Sequence, residues 1–179
     1  MSGMAGKKAK KAFTLIELII VLGLVGVVGL GITLIFVSAN DSVVTLASQT
    51  DVSVKTNFIM ESVQTRLRYA KNMSIHETAS GAGSDADRTY LYSSEGRVYV
   101  QNGRDAPQDL FSEAFYEGYY TDLTVTAIQQ NIVTVQVAMT NRDDLSVAYS
   151  LATDVNVLNT ETVDGDTWGL MVSYDNALP

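Results

Sequence analysis

Glu17 has the most unusual setting in this 179-residue chain. It is the only charged residue between Phe13 and Ala39, a stretch otherwise built of apolar, glycine and hydroxyl residues. Just before that stretch stand Lys7, Lys8, Lys10 and Lys11, with no acid among residues 1–12. A carboxylate at the centre of a membrane helix costs about 2.5–3.5 kcal/mol, a cost that falls by snorkelling near the helix end. The rest of the reactive inventory is thin. No cysteine is present, which excludes disulfides, zinc–thiolate sites and thiol nucleophiles. The single histidine, His76, excludes a multi-histidine metal centre and reads as an exposed residue at a helix end. No GxSxG, Walker A, HExxH or paired-cysteine pattern occurs, so no active site assembles from the sequence. Gly81–Ala86 matches a dinucleotide fingerprint on paper. A helix expected before it and a strand after it give the reverse of the required order.

The elements that must position Glu17 and the lysines follow from hydropathy and charge. From Leu18 to Val37 a helix rising about 1.5 Å per residue covers roughly 30 Å, one hydrocarbon core. No Lys or Arg follows until Lys55, so the positive-inside rule keeps the lysines cytoplasmic and exports the rest. Residues 40–179 hold 19 acids and 8 bases, a charge of −11 against +3 for residues 1–39. An acidic body argues against nucleic acid as a partner, because phosphate binding needs clustered Lys and Arg. Three readings compete for the apolar segment. A secretory signal peptide fits the basic start, and Val37-Ser38-Ala39 resembles its cleavage site, but the apolar run exceeds the usual length. A plain single-pass anchor gains nothing from Glu17. The third reading explains the acid and the lysines together.

The string Lys-Ala-Phe-Thr-Leu-Ile-Glu-Leu, Lys11 to Leu18, closely resembles the class III signal of type IV pilins and type II secretion pseudopilins. The resemblance covers roughly residues 7–38. It implies cleavage between Ala12 and Phe13 by a prepilin peptidase, N-methylation of Phe13, and Glu17 as the assembly acid five residues into the mature chain. Ala12 stands where the family usually has Gly. Within one helix Glu17 and the Phe13 amine lie about 6 Å apart along the axis, a poor direct pair. In a bundle, Glu17 of one subunit can meet the Phe13 amine of a neighbour. Losing one partner of such a desolvated pair typically costs ~3–5 kcal/mol. Gly23, Gly26, Gly29 and Gly31 allow close backbone approach but form no strict GxxxG pair.

Beyond Asn40 the expected fold is α+β, a pilin-like lollipop with an antiparallel β-sheet head over residues 77–179. Residues 40–76 read as a polar to amphipathic helix, of mediocre propensity as far as Lys55. Ile59, Val63, Leu67 and Ala70 form its apolar stripe, and its end is expected near His76. Arg88–Tyr92 and Arg97–Gln101 flank a hairpin turn. Alternation predicts strands through Leu123–Ala127, Val133–Met139 and Leu145–Leu151. The aromatic stretch 105–121 reads as a connector packed on the sheet edge. Asp154, Glu161, Asp164, Asp166 and Asp175 read as solvated loop acids, since Leu158 stands where an EF-hand needs its third ligand and the turn glycine is missing. Some pseudopilins bind calcium in a C-terminal loop, and the resemblance leaves that open; no other cofactor is expected. The sequence therefore points to a non-enzymatic filament subunit, in the minor-pilin or pseudopilin class. Its expected partners are prepilin peptidase, sibling subunits and the membrane. The competing reading is a single-pass exported binding or adhesion module.

Overall fold

The structure, a computed structural model, describes residues 14–175, with Asp41 described in its backbone alone. The chain divides into two compact units, Met1–Val44 and Thr45–Pro179. Helix α1, Leu15–Arg68, supplies residues to both. In the first unit every described side chain of α1 is exposed. Thr33 Oγ1 donates to the Gly29 carbonyl at 2.9 Å, one of several hydroxyl groups that fold back on the turn before them. The same bond recurs from Ser42 to Ser38 and from Thr50 to Leu46. It keeps these polar groups satisfied on a helix whose propensity is only moderate.

The second unit is α+β. The part of α1 belonging to it buries Val52, Thr56, Ile59, Val63 and Leu67, spaced four, three, four and four, which is one stripe of a helix. Strands β1 (Lys71–His76), β2 (Thr89–Ser94), β3 (Arg97–Asn102), β4 (Gln108–Asp109), β8 (Asp164–Gly165) and β10 (Met171–Asp175) form a six-stranded sheet. Its order is β4-β3-β2-β10-β1-β8, antiparallel except for β1 beside β8. Strands β5 (Tyr119–Gln129), β6 (Ile132–Asn141), β7 (Ala148–Asn156) and β9 (Trp168–Gly169) form a second, antiparallel sheet in the order β7-β6-β5-β9. Alternation decides which face is inward: Leu123 and Val125 on β5 and Val133, Val135, Val137 and Met139 on β6 are all fully buried. They join Ile59, Val63 and Leu67 in one core shared by α1 and both sheets.

The expected hairpin is β2–β3, closed by Glu95-Gly96 with φ of 51° and 78°. Positive φ at both central residues is the type I′ geometry that matches strand twist. The aromatic stretch holds the short strand β4 and a one-turn helix α2, Glu113–Tyr116. Phe111 stacks on Phe115 at 4.4 Å, and Tyr116 is buried, so these rings pack inward. Arg97 ties the stretch down through Asp109 at 3.2 Å and Glu113 at 2.9 Å.

Three expectations need correction. The helix ends at Arg68, eight residues short of His76, and residues 71–76 are the inner strand β1. Ala70 hides the change because it is buried in either period, while Met73 and Ile75 then alternate with Ser74 and His76. Asn72, at φ 48°, lies inside β1 where its register against β10 shifts between Lys71 and Ser74, and pairing with β10 and β8 outweighs local helical spacing. The glycine-rich loop consequently follows a strand, not a helix. The third strand of the expected meander starts at Ala148 rather than Leu145, which is exposed in the preceding turn.

Candidate functional site

Glu17 lies in the first turn of α1 and is exposed. Its backbone N–H donates to Thr14 Oγ1 at 3.4 Å, and Leu18 N–H donates to the Thr14 carbonyl at 3.2 Å. Thr14 is therefore the N-cap, and Thr14-x-x-Glu17 is the sequence pattern of a capping box. Sequence reasoning missed it, although the pattern stands in plain view before an apolar run. It gives Glu17 a second setting, an acid at the positive end of a helix dipole. Lys7, Lys8, Lys10, Lys11, Ala12 and Phe13 lie outside the described residues.

Behind Glu17 the helix is apolar all round. Leu22, Val25, Leu30, Leu34 and Phe36 are each exposed by 60 % or more. A Cβ added at Gly23, Gly26, Gly29 or Gly31 would meet no atom within 4 Å. A surface this apolar has to be covered, by lipid or by other protein. It is long and apolar enough to cross a membrane. Residues 7–33 match the family described as the prokaryotic N-terminal methylation motif. This segment is a class III signal of the type IV pilin and pseudopilin family. Cleavage of such a signal by a prepilin peptidase and assembly with other pilins go with the motif. No curated protein and no solved structure matches the chain.

In the second unit the titratable groups hold the fold together. Tyr119 Oη donates to Asp51 at 2.7 Å, and Lys55 reaches the same carboxylate at 3.2 Å. The Lys55 ammonium also sits 4.2 Å from the centre of the Tyr119 ring. Burial, then the Asp51 carboxylate, push the Tyr119 hydroxyl up to about 12. The triad fastens α1 to the start of β5. His76, expected at an exposed helix end, is instead half-buried on β1 with Nε2 at 2.7 Å from Ser173 Oγ. Burial first, and the nearby Arg88 cation second, hold its pKa below the usual 6.5. The distance suits a nucleophile and base, but Ser173 is only 1 % exposed, and no substrate reaches its oxygen.

The C-terminal acids are dispersed. Asp154 accepts from Thr134 at 2.5 Å, Asp166 from the Glu77 N–H at 2.9 Å, and Asp175 from Asn72 at 2.7 Å. Among the described residues, no three His, Asp or Glu side chains gather as a metal site. One cleft of about 630 Å³ opens along α1, lined by Phe58, Arg66, Tyr69, Phe111 and Tyr174 among others.

Proposed function

We propose that this chain is a structural subunit of a type IV pilus or type II secretion pseudopilus, built in as a minor subunit. The observation that carries the reading is Glu17, the one acid in the apolar, exposed stretch of α1 that runs to Ala39, directly after a basic leader. Prepilin peptidase cuts between Ala12 and Phe13 on the cytoplasmic side, and Phe13 is then N-methylated. Lys7, Lys8, Lys10 and Lys11 hold the leader in the cytoplasm, and the acidic second unit is exported. Glu17 then pairs with the Phe13 amine of a neighbouring subunit, where exclusion of water makes the pair directional and sets the order of addition. The lack of cysteine rules out the C-terminal disulfide loop common in major pilins of Gram-negative cells, which supports a minor placement.

The competing reading, an exported binding module on a plain anchor, draws support from the cleft beside α1. One experiment separates the two. After co-expression with a prepilin peptidase, the intact mass should correspond to a chain beginning at Phe13, with one added methyl where the peptidase also methylates. A mature chain beginning at Asn40 would overturn the filament reading.

A further inference from the structure

The outer edge of β7 is unusual. The strand pairs with β6 on one side and is the last strand of its sheet. Its nine residues offer roughly 30 Å of backbone. Natural edges of that length are blunted with Lys, Pro or a bulge. Ala148–Asn156 contains no Lys, Arg or Pro, its single charge is Asp154 near one end, and its pairing with β6 runs without a register shift. Among the described residues, the strands ending the sheets elsewhere, β4, β8 and β9, have two residues each. None of them is long enough to accept β7. Only another β7 is.

We propose that β7 pairs antiparallel with β7 of a second copy about a two-fold axis through Ala152. Side chains directly opposed across an antiparallel pair share a face, so the core-facing residues of one strand must meet those of the other. Tyr149, Leu151, Thr153 and Val155 are the core-facing set, opposite Met139, Val137, Val135 and Val133 of β6. Centring on Ala152 is the register that uses all nine residues and keeps that match. It sets Tyr149 beside Val155 and Leu151 beside Thr153, extending the half-covered end of the core. On the outer face it sets Asp154 opposite Ser150. The Ser150 Oγ accepts from Gln136 at 3.1 Å, which leaves its hydroxyl proton for the Asp154 carboxylate of the second copy. The two Asp154 charges fall roughly 14 Å apart, beyond the screening length of about 8 Å at physiological salt. The small Ala152 meets itself without crowding. Such a contact closes on itself and does not propagate, so it is separate from assembly through the apolar segment and does not depend on it.

The absence of cysteine makes the test direct. The full chain is expressed in membranes as Ala152→Cys, Ser150→Cys and Asp154→Cys variants, and mild oxidant is applied. Directly opposed Cα atoms lie about 4.5–5.5 Å apart, within disulfide range of roughly 4.4–6.8 Å. Ala152→Cys should give a product of twice the chain mass. Ser150→Cys and Asp154→Cys should each stay single alone, yet cross-link when co-expressed. Equal dimer from Ser150→Cys alone would mean random collision and overturn the register. No dimer from Ala152→Cys that still reacts with maleimide would overturn the pairing. A cross-linked product of another mass would show that a different protein covers the edge.

Discussion

Ile59→Asp is the sharpest test of how α1 sits on the sheets in the second unit. Ile59 is fully buried, while its neighbour Phe58 is 53 % exposed. Removing the isoleucine side chain forfeits about 2–5 kcal/mol in transfer and cavity terms. The carboxyl group that replaces it finds no partner among Val63, Leu67 and the inward valines. An unsatisfied buried polar group adds about 1–3 kcal/mol even when neutral. Together these remove roughly 3–8 kcal/mol from a domain whose stability is typically about 5–15 kcal/mol. Desolvation would raise the folded-state pKa of the new carboxyl above its unfolded value. The destabilisation should therefore be smallest where both states are protonated, below the unfolded pKa, and grow as pH rises towards the folded one. The measurement is urea unfolding of a fragment beginning at Thr45, followed by circular dichroism. Ile59→Val should lose only about 0.5–1.5 kcal/mol. Phe58→Asp, on the exposed side, should be close to neutral at about 0.5 kcal/mol. If Ile59→Asp and Phe58→Asp lose equally little, the stripe faces solvent and the packing of α1 given above is wrong.

Glu17→Val should leave membrane insertion and cleavage after Ala12 intact, because the segment becomes more apolar and the cut site is untouched. Incorporation into filaments, read by sheared-filament blots, should fail; normal assembly would reduce Glu17 to a helix-capping acid. Gly96→Ala should destabilise the second unit by about 1–3 kcal/mol. Its φ is +78° and a Cβ would lie 2.6 Å from the Tyr120 ring, so an unchanged melting temperature would contradict the type I′ turn. His76 has a depressed folded-state pKa, so its contribution is present above pH 6.5 and lost as pH falls through the folded value. The fragment should lose stability on acidification below about pH 6.5, and His76→Gln should flatten that part of the profile; an identical slope in both would refute the assignment.

What was legible in the sequence was local. The leader, Glu17 and the apolar run are contiguous, and their meaning depends on order and charge alone. The β2–β3 hairpin was legible for the same reason: Glu95-Gly96 lies between two alternating runs, and the partner strand begins right after those two residues. The stripe of Ile59, Val63 and Leu67 also came through, since 3.6-residue periodicity needs no knowledge of the rest of the chain. The helix end did not. Whether Lys71–His76 continues α1 or becomes a strand is decided by β10, about a hundred residues later, and nothing near His76 announces it. The division into two sheets failed to show for a related reason. It depends on β10, which returns from the far end of the chain to pair with β1 and β2 while β5, β6 and β7 pair with one another. At the candidate site, Thr14-x-x-Glu17 is legible as a capping pattern from the sequence alone.

That pattern matters for how Glu17 works. As the third residue of α1, it lies where the helix dipole favours a negative charge by about 0.3–1 kcal/mol at exposed sites. The helix dipole therefore favours the carboxylate in the uncombined subunit. The gain is small beside the ~3–5 kcal/mol that losing one partner of a desolvated ion pair costs. On the proposed assembly the Phe13 amine of an arriving neighbour meets no competition from the cap, which uses only the Glu17 N–H. Thr14 and Glu17 play separate parts at the same helix end in that assembly: Thr14 holds the Glu17 backbone N–H, which leaves the carboxylate for a neighbour. On that argument Thr14 matters most to the free subunit. Thr14→Val removes the oxygen that accepts the Glu17 N–H, and should lower the amount of inserted, cleavable precursor. It should leave the strength of the assembled contact little changed, whereas Glu17→Val does the reverse.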